Sequence, residues 1–246
     1  MDLIDVHCHM LPGIDDGSSD AEMSLGMLAA SAEAGVTRVC LTPHYYPSEP
    51  AGEFISRRAA AYERLLLAVE KYTAETGKKL PKTCLGAEVY YHIGIQHEKL
   101  IRELCYEGTH YLLLELPWRD WSVRVFQDID GLIETRGIRP VIAHLERYDP
   151  MTSAANIKMI RRMPVMVQMN AEYVIDKKTR RHALRLIKSG NVALLGSDSH
   201  DLKGRAPNLG EAFGILGSSG LEKAAEGLRA GAERIWSEVS HAAGNT

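Results

Sequence analysis

Two histidines and three aspartates lie close together near the start of the chain, in the segment DVHCHMLPGIDD. If its first residues form a strand, Asp5, His7 and His9 share one face, because side chains alternate along a strand. Asp15 and Asp16 follow shortly after. Imidazole and carboxylate groups that converge on one point are typical ligands of a divalent cation. The segment therefore predicts a cation site, provided that distant parts of the chain supply further ligands.

Polar residues of this kind recur at the ends of apolar, strand-like segments. Seven segments have this character, namely LIDVH, VTRVCLT, KTCLGAEV, YLLLEL, RPVIAH, PVMVQMN and VALLGSD. The side chains at or just after their ends are His7 and His9, His44, Glu88, Glu115, His144, Asn170, and Asp198 with His200. Because the carboxyl ends of parallel barrel strands meet at one rim, we expect these side chains to lie together there.

Helical patterns separate the strand-like segments. Residues 19–22 read as a capping box, and Gly35 follows as a stop signal. Residues 62–69 carry an apolar stripe at helical spacing that includes Leu65 and Leu66. Continuously apolar strands that alternate with helices indicate a parallel sheet buried on both faces. Seven such units predict an α/β fold of the (β/α)7 barrel type, with the eight-stranded barrel as the nearest alternative.

The composition favours a single globular domain over residues 1–246. Apolar residues make up 45%, charged residues 25%, and the net charge of −3 does not indicate a nucleic-acid-binding surface. No segment approaches the ~18 apolar residues of a membrane span, and the first residues lack the features of a signal peptide. The four cysteines have no CxxC spacing, so we expect free thiols in a reducing compartment. These observations predict a cytoplasmic protein that does not span the membrane.

The candidate ligands outnumber what one ion uses. They are His7, His9, His44, His144 and His200 together with Asp16, Glu88, Glu115 and Asp198. At ~3 to 5 protein ligands per ion, this set predicts two or three ions of manganese, zinc, iron or magnesium. A carboxylate such as Glu88 would bridge two ions, and Asp198 would bridge or orient a nucleophile. Such ions lower the pKa of a bridging water, so that hydroxide can attack a phosphate ester at neutral pH.

Two arginines immediately after ligand segments complete this hypothesis. Arg147 lies in HLERY and Arg205 in DSHDLKGRAPNL. Either guanidinium can bind phosphate oxygens through two parallel hydrogen bonds. We therefore predict that Arg147, Arg205 and Asp198 act in catalysis.

Aromatic residues also follow two of the strand-like segments. Tyr45 and Tyr46 come after the second one, and Trp118 and Trp121 after the fourth. Packing in the core and a wall of a ligand site explain these residues equally well, so the sequence leaves their roles open.

The motifs DVHCH, TPH, GAE, ELP, AHLERY and GSDSH together resemble the PHP metallophosphoesterases. LPGIDDG, HLERY and SDSHDLKGRAPNL look most like the manganese-dependent bacterial protein-tyrosine phosphatases of capsule and exopolysaccharide biosynthesis. The resemblance covers residues 1 to about 210. Leu145 stands where that family often has proline, which leaves the ligand positions intact.

The resemblance implies one distorted (β/α)7 barrel domain of the PHP type, similar to a TIM barrel, with a centre of usually three manganese ions. The ligand positions of the family fall on the nine residues named above, and its phosphate-binding arginines fall on Arg147 and Arg205. Members remove phosphate from the tyrosine-rich tail of a tyrosine kinase that controls polysaccharide export. The substrate implied here is therefore a phosphotyrosine protein, and the partner is such a kinase.

Several alternatives stay open at this point. A histidinol-phosphate or other small-molecule phosphatase of the same family is the main one. Metal-dependent amidohydrolases and deoxyribonucleases also begin with HxH, although they normally end on a lone aspartate. A metal-binding regulator without turnover is a fourth possibility. A cysteine-dependent phosphatase is rejected, because no cysteine of the chain has an arginine six residues after it.

Overall fold

The computed structural model describes residues 2–148 and 151–239. The strands are β1 (Leu3–Cys8), β2 (Val36–Leu41), β3 (His44–Tyr45), β4 (Lys82–Leu85), β5 (Glu88–Tyr90), β6 (Tyr111–Glu115), β7 (Arg139–Ile142), β8 (Met166–Asn170) and β9 (Leu194–Gly196). The helices are α1 (Ala21–Glu33), α2 (Ala51–Thr76), α3 (Val123–Arg136), α4 (Ala154–Ile160), α5 (Ala171–Ile175), α6 (Arg180–Lys188), α7 (Leu209–Ser218) and α8 (Glu222–Trp236).

All strand pairs are parallel, and the nine strands form the seven staves, or strand positions, of a barrel. Two of these staves consist of two consecutive short strands each, β2 with β3 and β4 with β5. β1, β2 and β4 make one sheet, and β3, β5, β6, β7, β8 and β9 make the other. A parallel bridge between Cys8 and Ser199 joins the end of β1 to the segment after β9. The predicted α/β fold, a distorted (β/α)7 barrel, is confirmed.

The distortion has a local cause in two of the staves. The second stave breaks at Thr42 and Pro43 into β2 and β3, and the third breaks at Gly86 and Ala87 into β4 and β5. Backbone hydrogen bonds cross both breaks, since Gly86 N donates to the oxygen of Leu41. The two short strands after the breaks, β3 and β5, pair with each other and carry His44 and Glu88 in direct register.

Helix boundaries mostly follow the expected signals. The N-cap of α1 is Asp20, whose side chain accepts from the backbone N of Met23, so the helix begins one residue later than a capping box on Ser19 requires. Gly35 follows α1 with a left-handed φ of 85°, as expected of a stop signal. In α2, Leu65 is buried but Leu66 is exposed, so the apolar stripe is narrower than the sequence pattern suggested.

The core lies on both faces of the strands. One cluster joins Ile4 and Val6 of β1 to Ile235 and Trp236 of α8. Arg38, near the start of β2, pairs with Glu233 of α8, which places this helix at the amino ends of the strands. α8 therefore closes the end of the barrel opposite the strand ends that carry the polar residues. Within the described ranges, no helix is both long and apolar enough to cross a membrane.

We predict that α7 tolerates no side chain at Gly210. A Cβ there would lie 2.3 Å from the backbone oxygen of Ala34, whereas a Cβ at Gly214 of the same helix meets nothing within 4 Å. Gly210→Ala should lower the free energy of unfolding by about 1–3 kcal/mol through overpacking. Gly214→Ala, the matched control, should raise it by up to about 1 kcal/mol through helix propensity. Urea denaturation measures both, and equal stabilities would contradict the close approach.

Candidate metal centre

The carboxylate of Glu88, at the start of β5, lies at the middle of the site. Its Oε2 is 3.2 Å from His7 Nε2, 3.3 Å from His9 Nε2 and 3.0 Å from His44 Nδ1. Its Oε1 is 2.8 Å from His144 Nε2. The side chain is 1% exposed. Four imidazoles from different parts of the barrel rim therefore surround one buried carboxylate.

Asp198, just after β9, is the second buried acid of the site. Its Oδ1 lies 3.4 Å from His9 Nε2 and 3.5 Å from His7 Nε2. Its Oδ2 accepts a hydrogen bond from Arg147 at 2.5 Å and forms an ion pair with Arg205 Nη2 at 2.8 Å, so both predicted catalytic arginines meet this oxygen. One carboxylate thus faces the histidines with one oxygen and the guanidinium groups with the other.

The remaining predicted ligands lie at the edge of the same cluster. Asp16 Oδ1 is 3.5 Å from both His44 Nε2 and His200 Nε2, and this aspartate is 67% exposed. Glu115 Oε1 is 3.5 Å from His144 Nε2. All nine ligands predicted from the sequence therefore meet at one rim. Three overlapping groups have ligand atoms within 4.8 Å of one another: His9, Asp16, His44 and His200; His7, His9 and Asp198; and His44, Glu88 and Glu115.

Several atoms of this cluster are buried without a hydrogen-bond partner. They include Glu88 Oε2, His44 Nδ1 and His200 Nε2. Buried polar atoms are normally hydrogen-bonded, so three orphaned atoms in one cluster require an explanation. Imidazole nitrogens and carboxylate oxygens without thiolates suit manganese, zinc, iron or magnesium. The donor set therefore fits a centre of divalent cations.

The direction of one hydrogen-bonded chain fixes the tautomer of His7. The backbone N of His144 donates to Gln168 Oε1 at 2.7 Å, so that side-chain atom is the oxygen. His7 Nδ1, 3.2 Å from the same Oε1, must then carry a proton. Gln168 Nε2 donates to Asn170 Oδ1, and Asn170 Nδ2 donates to Asp198 Oδ2 at 2.6 Å. Gln168 and Asn170, both on β8, thus orient three of the candidate ligands.

Two further histidines are oriented in the same way. Asp15 Oδ2 accepts from the backbone N of His44 and lies 2.7 Å from His9 Nδ1. His200 Nδ1 lies 2.9 Å from the carbonyl oxygen of Asp198, which can only accept. In His7, His9 and His200, Nδ1 therefore donates outward and Nε2 is left for the centre, as is usual for histidines that bind metals.

The buried acids and the histidines of the cluster shift each other's pKa values in opposite directions. Burial alone would lower the pKa of His9, but the neighbouring acids, Asp15 first and then Asp198 and Glu88, raise it well above its usual value. Burial would raise the pKa of Glu88, yet nearby imidazoles, His7 first, hold it well below its usual value. The pKa of Asp198 is likewise held well below its usual range against burial, chiefly by His7 and His9. The proton on His9 and the ionised acids around it therefore stabilise each other, and divalent cations would supply the same positive charge.

Other groups of the site have pKa values set mainly by burial. Burial and then Glu88 raise the pKa of Glu115 to about 7. Burial and then His9 lower the pKa of His200 to about 4. Burial also raises the pKa of Glu146 to about 7, and its Oε1 accepts from the backbone N of Asn170. Perturbed values of this kind gather at functional sites.

Two backbone conformations at the site are unusual. His144 has a φ of 31° and Asp198 a φ of 52°, and they are the only non-glycine residues with positive φ in the described part of the chain. A side chain in the left-handed region costs about 1 kcal/mol or more. Both strained residues are candidate ligands, and the Gln168 chain contacts both.

The aromatic residues of uncertain role divide into two classes. Tyr45 is buried against Phe54, and Trp121 is buried against Tyr148. Tyr46 and Trp118 are instead exposed at the rim. Tyr45 is the last residue of β3 and Tyr46 directly follows it, and successive side chains of an extended backbone point to opposite faces.

The sequence analysis missed the residues that orient the ligands. Asp5 is in none of the three ligand groups, and its Oδ1 accepts from the backbone N of His7 and of Ser197. Asp15, Gln168 and Glu146 were not predicted as site residues. A usable signal existed on β8, where Gln168 and Asn170 lie two apart on one face of a buried strand.

We predict that Gln168 supports metal affinity without contacting the metal. Gln168→Leu removes the acceptor of His7 Nδ1 and of the His144 backbone N, so affinity for Mn²⁺ should fall by about 10- to 100-fold. Calorimetric titration of metal-free protein measures this. Gln127→Leu, on the exposed face of α3, is the matched control and should bind like the parent. Unchanged affinity in Gln168→Leu would contradict the orienting role.

The chain is similar in sequence to a known protein family and to tyrosine-protein phosphatases of other bacteria. A model of the CpsB/CapC family, described as capsular polysaccharide synthesis, matches residues 3–231. Tyrosine-protein phosphatase YwqE of Bacillus subtilis (strain 168) is 26% identical over 238 residues, which cover 87% of this chain and 84% of YwqE. Tyrosine-protein phosphatase CpsB of Streptococcus pneumoniae is 27% identical over 237 residues, which cover 91% of this chain and 94% of CpsB.

Solved structures share the fold. A chain from the crystal structures of YwqE from Bacillus subtilis and CpsB from Streptococcus pneumoniae, described as metal-dependent tyrosine phosphatases, superimposes with a TM-score of 0.74 at 24% identity, covering 96% of this chain and 95% of that one. The lactonase Lmo2620 from Listeria monocytogenes reaches a TM-score of 0.55 at 13% identity, covering 95% and 94%. Because the family model spans nearly the whole sequence, the chain belongs to the CpsB/CapC family of capsular polysaccharide synthesis.

Proposed function

We propose that this chain is a metal-dependent protein-tyrosine phosphatase. The observation that carries the proposal is the cluster of nine predicted nitrogen and oxygen ligands, with the buried Glu88 at its middle and with Arg147 and Arg205 at the same rim. Relatives over most of the chain length are named tyrosine-protein phosphatases, which supports the substrate class. The reaction is hydrolysis of a phosphate monoester, which yields tyrosine and inorganic phosphate.

The proposed ligands are the nine residues predicted from the sequence. They are His7, His9, Asp16, His44, Glu88, Glu115, His144, Asp198 and His200. We propose manganese, in two or three ions, with iron, zinc and magnesium as alternatives that use the same donors. His9 belongs to two of the ligand groups but has only Nε2 free, so it serves one of them. When bound, the cations supply an activated water and neutralise the phosphoryl charge.

The residues of the chain bind and orient the substrate. Arg147 and Arg205 bind the phosphoryl oxygens, because both guanidinium groups are partly exposed and meet at one carboxylate oxygen of Asp198. A phosphoryl group at the rim presents negatively charged oxygens to the two guanidinium groups, as the carboxylate of Asp198 does. Asp198 is held in its place by Asn170, so its Oδ1 stays toward the histidines while the arginines take the substrate.

The partner we propose is a bacterial tyrosine kinase that controls exopolysaccharide synthesis. The family description, capsular polysaccharide synthesis, supports this pathway. We also propose a cytoplasmic location, which the four free, buried cysteines support because free thiols are typical of reducing compartments. The single domain over residues 1–246 stays a prediction.

The proposed function is tested by comparing kcat/KM for three substrates with manganese-loaded protein. A phosphotyrosine peptide should be hydrolysed faster than a phosphoserine peptide or histidinol phosphate. EDTA should abolish turnover, and manganese should restore it better than magnesium. Preference for histidinol phosphate would favour the small-molecule phosphatase. Full metal loading without hydrolysis of any phosphoester would favour the non-catalytic regulator, and activity that persists in EDTA would refute the mechanism.

We predict that Arg205 acts mainly in substrate binding. Arg205→Ala removes a charged hydrogen-bond donor to phosphate, so KM should rise by about 10- to 100-fold while kcat changes less. Steady-state kinetics with the phosphotyrosine peptide measures both constants. Arg181→Ala, an exposed arginine of α6, should behave like the parent. A KM equal to that of the parent would remove Arg205 from the substrate site.

A further inference from the structure

We infer that Tyr46 and Trp118 form two walls that receive the aromatic ring of the substrate and select aryl over alkyl phosphate monoesters. The inference rests on the proposed phosphatase function and adds the residues that determine its specificity. It concerns groups that are not among the metal ligands or the arginines.

Exposure singles out these two side chains. Tyr46 is 46% exposed and Trp118 is 45% exposed. Over residues 2–148 and 151–239, every other Tyr, Trp and Phe side chain is buried or only partly exposed. Isolated exposed apolar side chains are normal, but rings gathered at the mouth of a site offer apolar surface that a ligand can cover. Both exposed rings lie at the rim of one site, which indicates a ligand that covers them there.

Tyr46 lies on one side of the centre. Its ring stacks on the ring of His44, with centroids 5.4 Å apart and an interplanar angle of 29°. Tyr90 supports it from behind, at 5.8 Å between ring centroids. His44 in turn approaches Oε2 of Glu88. Tyr46 therefore stands over the Oε2 side of the central carboxylate.

Trp118 lies on the other side of the centre. Its Nε1 donates to Glu115 Oε1 at 2.9 Å, and its ring centroid is 6.1 Å from that of His144. His144 approaches Oε1 of Glu88. Tyr46 contacts His44, which approaches Oε2 of Glu88, and Trp118 contacts His144, which approaches Oε1. The two rings therefore flank the mouth of the site.

Arg147 connects the Trp118 wall to the phosphate position. Its Cζ lies 5.7 Å from the Trp118 ring centroid, while its Nη2 reaches Asp198. A phosphoryl group held by this guanidinium has its ester oxygen close to the indole face. The group attached to that oxygen then meets Trp118 directly. A phenyl ring fills the space beside the indole, whereas the short methylene of phosphoserine makes little contact with either wall.

The test uses manganese-loaded protein and two non-hydrolysable probes, phenylphosphonate and methylphosphonate, titrated by calorimetry. Trp118→Leu and Tyr46→Leu remove one ring each and should each weaken phenylphosphonate binding by about 3- to 10-fold, the range expected for an aromatic pair. Methylphosphonate binding should change by less than about 2-fold. The ratio of kcat/KM for phosphotyrosine and phosphoserine forms of one peptide should fall in parallel.

Conservative variants separate the ring from its polar atom. Trp118→Phe keeps a ring but loses the hydrogen bond to Glu115, and Tyr46→Phe loses only the hydroxyl, so both should keep the preference for phenylphosphonate. Leu67→Ala, an exposed apolar residue of α2, is the control outside the site. Equal loss for both probes, or no loss for either, would overturn the inference. Ring-dependent binding of phenylphosphonate without hydrolysis of any phosphomonoester would refute the phosphatase proposal but support the two walls.

Discussion

A single buried carboxylate sets the requirements that the rest of this structure meets. Glu88 is almost completely enclosed, and an ionised acid in such a place costs several kcal/mol unless partners compensate it. The compensation comes from four imidazoles on three staves, since His7 and His9 lie at the end of β1, His44 on β3 and His144 just after β7. No contiguous segment of the chain can provide all four. The breaks in the second and third staves are part of the same solution, because they bring His44 and Glu88 side by side in register.

A second layer of hydrogen bonds holds these imidazoles in position. The chain from the His144 backbone through Gln168 and Asn170 to Asp198 links β8 to both neighbouring strand ends. A ligand whose outer nitrogen is already committed has only one nitrogen left for a cation, which removes the ambiguity of the tautomer. The hydrogen bonds of this layer therefore fix how the imidazole rings are oriented as well as where they lie.

The positions of the candidate ligands at the strand ends were predictable for two reasons. Seven apolar segments each end in a residue able to bind a cation or make a polar contact, and parallel strands bring their carboxyl ends together. The orienting residues were harder to predict, because a glutamine or aspartate becomes meaningful only through a partner far away in the chain. Gln168 lies 161 residues from His7. The exact start of α1 and the exposure of Leu66 depend on local packing, which a periodic pattern does not specify. Likewise, no sequence motif indicated that α8 closes the opposite end of the barrel.

The left-handed backbones of His144 and Asp198 have a consequence for how this protein evolves. Each of them stores conformational energy that a glycine at the same position would release. Selection for folding alone would therefore favour chains that have given up these two side chains and, with them, the centre. A protein that keeps both side chains therefore stays below its maximal conformational stability. A relative that no longer needs the centre could replace them and become more stable.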